Sequence, residues 1–79
     1  MEDLEKWGFS PEEAEHLPRV GDLARPVRSV VAWIPGGTIS LYPEDLGVAT
    51  YMRGDNGNIE VLCRGYVCSS FVGHWRREK

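Results

Sequence analysis

Residues 27–34, VRSVVAWI, make the strongest demand in the chain. The stretch is rich in β-branched residues and apolar on both faces, the pattern of a central strand that needs hydrogen-bonding neighbours at both edges. The chain has 79 residues, which is material for one core. A domain of that size buries roughly 60–65% of the surface its unfolded chain exposes, so every element has to contribute. The neighbours must therefore come from the segments that follow.

Those segments read as an antiparallel meander. PGG (35–37) is a turn, and TISLY (38–42) alternates with Ile39 and Leu41 on one face. PEDLG (43–47) reads as one helical turn stopped by glycine. VATYMR (48–53) is the next strand, and Asn56-Gly57 favours the positive φ angles of a two-residue type I′ hairpin turn. IEVLC (59–63) follows, and at Arg64-Gly65 the reading forks. Either these two residues turn into a fifth strand, YVCSSFV, or Gly65 is a bulge in one long bent strand, with the hairpin preferred.

Ahead of the sheet, FSPEEAEHLP predicts a short helix over 11–17. Ser10 is the cap, Pro11 takes the first helical position, Glu13 completes a capping box, and Phe9 can staple against Ala14. Leu4 and Trp7 share a face of a further turn or two. The expected architecture is α+β, with a short N-terminal helix packed on an antiparallel meander of four to five strands. A small, strongly bent SH3-like barrel is the alternative. The single domain 1–79 divides into an acidic helical segment (1–17), a connector (18–26), the sheet (27–73) and a basic tail (74–79).

Charge is polarised along this order. The net charge is −3, yet residues 1–15 carry six carboxylates against Lys6, and residues 74–79 carry three cations. An acidic chain is a poor general ligand for nucleic acid and suits a basic partner. No stretch approaches the ~20 apolar residues of a membrane span, and the N-terminus is acidic where a signal peptide is basic. The expectation is the cytoplasm of a bacterial host cell, two reduced thiols, and a monomer or weak dimer.

Chemistry-bearing motifs are sparse. Arg53-Gly54-Asp55 is an adhesive tripeptide in form but serves equally as a strand end entering a turn. Asp55, Asn56 and Asn58 have the spacing that opens a calcium loop, but Glu60 comes too early for the closing bidentate acid. Cys63, Cys68 and His74, with His16 as a fourth ligand, make a third-ranked zinc reading; two buried apolar thiols are the simpler account. Ser69 or Ser70 with His74 lacks an oxyanion nest. No enzyme, cofactor or metal is expected.

Surface contact remains. The candidate acidic contacts are Glu5, Glu12, Glu13 and Glu15. The candidate aromatic and basic contacts are Trp33, Tyr51, Tyr66, Trp75, Arg76 and Arg77. Among them, Trp33, Tyr51 and Tyr66 form a platform if they share the sheet face away from the helix. The GHWRREK tail, with Arg64, supports the alternative of a small nucleic-acid-binding regulator. A motif-free acidic domain under eighty residues resembles the anti-CRISPR-type inhibitors of phages and mobile elements, a class without a common motif, so no residue role is transferred. The resemblance implies a stoichiometric inhibitor that occupies a nucleic-acid-binding surface of a host defence complex, sterically or through acids that imitate phosphates.

Overall fold

A computed structural model describes residues 10–52 and 57–78. Its elements are α1 (Pro11–Glu15), β1 (Leu23–Pro26), β2 (Val30–Ile34), β3 (Gly37–Leu41), β4 (Gly47–Met52), β5 (Asn58–Cys63), β6 (Tyr66–Phe71), a 3-10 turn (Val72–His74) and β7 (Trp75–Arg77). All seven described strands join one antiparallel sheet in the order β3-β2-β6-β5-β4-β1-β7.

This overturns the α+β expectation. The helix has five residues, too few to lay a face on a sheet, and Glu12, Glu13 and Glu15 are all exposed. Its capping box does form: the Ser10 backbone N–H donates to Glu13 Oε1 at 3.0 Å, and the Glu13 N–H donates to Ser10 Oγ at 3.2 Å. Docking is done by Leu17 and Pro18 just beyond it, both buried. Phe9, Trp7 and Leu4 lie outside the described residues. The strongly bent all-β arrangement is the nearer of the two expectations. No pairing joins β3 to β7 among the described residues, so the sheet curls without hydrogen-bonded closure.

The additional strands come from segments read as connector and tail. LARP in the connector pairs with β4 on one side and with WRR of the tail on the other. Further bonds fix this end: Glu78 N–H to Leu23 O at 2.8 Å and Val27 N–H to His74 O at 2.9 Å. Residues 27–34 are not one strand either, since β2 begins at Val30. PEDLG is a turn in which Asp45 N–H donates to Tyr42 O at 2.9 Å and Tyr42 N–H donates to Asp45 Oδ2 at 2.9 Å.

At Cys63-Arg64-Gly65-Tyr66 the hairpin is present: Cys63 pairs with Tyr66, and the two turn residues have φ of 55° and 81°, both positive as a type I′ turn requires. The β4–β5 connection differs. A two-residue turn at Asn56-Gly57 would pair Met52 with Val61, whereas Met52 pairs with Ile59. Arg53, Gly54, Asp55 and Asn56 lie outside the described residues.

Alternation builds the core. Ala24, Ala32, Leu41, Ala49, Ile59, Val61, Cys63, Cys68, Val72 and Trp75 converge on the concave side with Leu17 and Val30. Trp75 leads the fully buried side chains by volume. Register slips once, between Ala49 and Tyr51, so Thr50 is an extra residue that turns Tyr51 outward and Met52 inward. Gly47 sits in close contact with β5. A Cβ there would lie 2.6 Å from Val61 Cγ1 and 2.7 Å from Leu62 O. Gly47→Ala should therefore cost about 1–3 kcal/mol in urea unfolding, whereas Gly37→Ala, with open space around it, should stay within ~0.5 kcal/mol of wild type. Equal stability of the two variants would contradict the packing at β4–β5.

Candidate functional site: the outer face of the sheet

With the concave side filled, every second strand residue points outward, and the register places those residues in rows. Leu23 pairs with Val48, Val48 with Leu62, and Leu62 with Val67. Four exposed aliphatic side chains thus stand shoulder to shoulder across β1, β4, β5 and β6. The next row runs Tyr51, Glu60, Ser69 and Trp33 across β4, β5, β6 and β2. Its ends are aromatic and open to solvent, Trp33 at 69% and Tyr51 at 53% exposure. Three strand spacings, ~14 Å, separate them. Val31, 63% exposed, extends the face on β2. Together these side chains present on the order of 500 Å² of apolar surface, the size at which exposed patches mark interaction sites. Glu60 is the acid inside the rows.

Of the residues expected to share one sheet face, Trp33 and Tyr51 lie in one outward row and Tyr66 does not. Tyr66 has the parity of Cys68 and Ser70, which point inward. It is exposed because it stands at the hairpin end, and it does not join the outer rows. β2 has strand neighbours at both edges, β3 and β6, yet Trp33 stands open on its outer face.

Trp75 is misplaced as a contact residue. It is 1% exposed, and its Nε1–H donates to Ser70 Oγ at 2.7 Å. An indole anchored there has no free face on which a base could stack, which removes the aromatic half of the basic-tail reading. Arg76 and Arg77 remain at the surface of β7, Arg77 half-buried. Arg64 is turned to a structural use, its guanidinium donating to Ser40 O at 3.2 Å on edge strand β3. The acidic candidates Glu12, Glu13 and Glu15 project from α1, beyond the β7 edge, and Glu5 lies outside the described residues. Hydrogen bonds from the Ser10 backbone N–H and from its hydroxyl hold the Glu13 carboxyl below its ordinary value, so its capping contribution is present at neutral pH and is lost as pH falls through that lowered value.

The thiols do not converge on a metal. Cys63 Sγ donates to Leu46 O at 3.7 Å, and Cys68 Sγ donates to Cys63 O at 3.8 Å and to Tyr66 O at 3.6 Å. No group of three or more His, Cys, Asp or Glu side chains is placed to hold an ion among the described residues, so the zinc reading through Cys63, Cys68 and His74 has no geometric support. Ser70 is committed to Trp75, and Ser69 points to the opposite face, so neither meets His74 as a nucleophile would. His74 packs edge-on against Phe71 at 5.9 Å, its Nδ1 buried without a hydrogen bond.

No family model matches the chain, and no curated protein or solved structure matches it. No helix among the described residues is long and apolar enough to cross a membrane.

The aliphatic row escaped sequence reasoning because it depends on register between strands far apart in the chain. The individual outward positions were visible in the alternation of VATYM and IEVLC; their alignment was not.

Burial raises both thiol pKa values, with Asp45 adding to the effect at Cys63 and Cys63 itself adding to it at Cys68. A raised value favours the fold below the ordinary thiol range and withdraws that contribution as pH climbs through the folded value. Native protein at pH 8 should resist iodoacetamide, while urea-unfolded protein alkylates at both cysteines within minutes. Fast native labelling, read by mass spectrometry, would contradict the burial of this pair.

Proposed function

We propose that this chain is a non-enzymatic binding protein that docks the outer face of its sheet on a host macromolecule. Its target, on this reading, is a nucleic-acid-handling defence assembly of the CRISPR–Cas type, blocked stoichiometrically. The observation that carries the reading is the unbroken aliphatic row Leu23–Val48–Leu62–Val67, flanked by Trp33 and Tyr51. Exposed aliphatic surface costs solubility, and a contiguous patch with aromatic ends is the composition of an interface centre. The nucleophile candidates are spent structurally: the thiols are buried and protonated, and Ser70 holds Trp75.

Within this reading steric occlusion is favoured over imitation of phosphates. The rows contain one acid, Glu60, and the exposed carboxylates of α1 stand off the face. Acidic residues then act at the rim, where they influence association rate more than affinity.

The test is a titration of the protein into a purified RNA-guided DNA-binding complex, with target-DNA binding as the readout. Wild type should abolish DNA binding near one-to-one stoichiometry. Leu62→Glu places a charge at the centre of the row and should weaken the block by at least about tenfold, with unfolding unchanged because Leu62 is exposed. Glu12→Lys should change it less than about threefold. A Leu62→Glu protein that blocks as well as wild type would remove the outer face from the contact, and wild type without effect on DNA binding would overturn the target class.

A further inference from the structure

The polar row of the outer face has a gap between its aromatic ends. Tyr51, Glu60, Ser69 and Trp33 are successive cross-strand partners, so their side chains leave the sheet on one side. The two ends are exposed, while Glu60 and Ser69 between them are half-buried. The β4 bulge is what sets the acid beside an aromatic ring. With an unbroken register Thr50 would face Glu60 and Tyr51 would face the inward Ile59; the extra residue pairs Tyr51 with Glu60 instead. The Thr50 hydroxyl donates to the Glu60 carbonyl at 3.2 Å and fixes that offset. On the other side of Glu60 comes the small Ser69, and then Trp33. Two strand spacings, ~10 Å, lie between the backbones of Glu60 and Trp33. A carboxylate and an indole thus flank a gap floored by a serine. The Glu60 carboxylate forms no ion pair among the described residues.

We propose that this gap receives an arginine side chain of the partner protein, an inference that rests on the outer face being the contact surface and names what its polar row takes. A guanidinium matches both walls. It is planar and weakly hydrated, stacks its face on an indole, and donates paired N–H groups from its edge to a carboxylate. The serine hydroxyl on the floor is a further acceptor. Docking of the neighbouring aliphatic row makes such a complement necessary, because it withdraws water from Glu60 and an unpaired buried carboxylate is costly. A neutral side chain in the gap leaves that cost standing, and an ammonium lacks the planar face for the indole. Protein surfaces that hold nucleic acid present arginines to its phosphates. An arginine taken up here is withdrawn from the phosphate backbone, which adds to the steric block.

The experiment has two arms. In the first, the isotope-labelled full chain is titrated with a capped Gly-Arg-Gly peptide, and with the same peptide carrying lysine or citrulline, at constant ionic strength. Saturable shifts are expected at the Glu60 and Ser69 amides and at the Trp33 indole N–H, with a Kd on the order of millimolar. The lysine peptide should bind at least about threefold more weakly, and the citrulline peptide should not saturate. Glu60→Gln and Trp33→Leu should each weaken the arginine peptide about fivefold, with Tm unchanged because both residues stand on the outer face. Glu12→Gln, which removes the same charge from α1, should bind like wild type. In the second arm the variants enter the titration against the RNA-guided complex, where Glu60→Gln should weaken the block about tenfold. A block lost in Leu62→Glu yet fully retained in Glu60→Gln and Trp33→Leu overturns the arginine site and leaves the outer face in contact. Arginine-peptide binding that depends on Glu60, without any effect on DNA binding, supports the site and overturns the target class. Shifts that never saturate, or that are equal for the lysine or citrulline peptide, overturn the site.

Discussion

Trp75 enters the core from a strand of three residues, and its indole N–H is fixed to Ser70 Oγ at 2.7 Å. Much of the fold depends on that placement. A single sheet has two faces, and the helix among the described residues, five residues long, is too short to cover either of them. The concave side closes only because the 3-10 turn Val72–His74 swings the chain from the end of β6 back to the far edge, where β7 pairs with β1. The largest fully buried side chain then joins a core that includes alanines at positions 24, 32 and 49. Small residues on the strands and one large residue at the end of the path solve the packing of a tightly curled sheet.

The same constraint explains the outer face. Once the concave side is filled, nothing remains in the described chain to cover the convex one, so its aliphatic row and aromatic ends stay in water. The proposed function takes this open face as its contact surface. At the β7 edge, backbone pairing sets Arg25 directly opposite Arg76.

Parts of this were legible in the residues. The Ser10–Glu13 capping box and the Arg64-Gly65 turn were readable because each is decided within a few residues by local hydrogen bonding and φ preference. The alternation of β3 and β5 was readable for the same reason. What failed depended on partners distant in sequence. LARP and WRR are too short to show a period, and the second reads as a solvated basic tail until β1 lies beside it. Trp75, flanked by His74 and two arginines, looks like a stacking residue in sequence; the 3-10 turn alone reveals it as core. The strand 27–34 was overextended at its start, since the β-branched apolar run reads as strand from Val27 while pairing begins at Val30. The α+β assignment failed on length, since a good cap cannot give a five-residue helix a packing face.

The account rests on two tryptophans lying on opposite sides of one sheet. Their assigned indole N–H signals, followed with a soluble paramagnetic probe and then in deuterated water, measure this directly. The structure requires the Trp33 signal to broaden strongly and exchange at once, and the Trp75 signal to stay sharp and exchange only when the protein unfolds. Equal broadening of the two, or rapid exchange at Trp75, would contradict the enclosed core and with it the separation of the two faces.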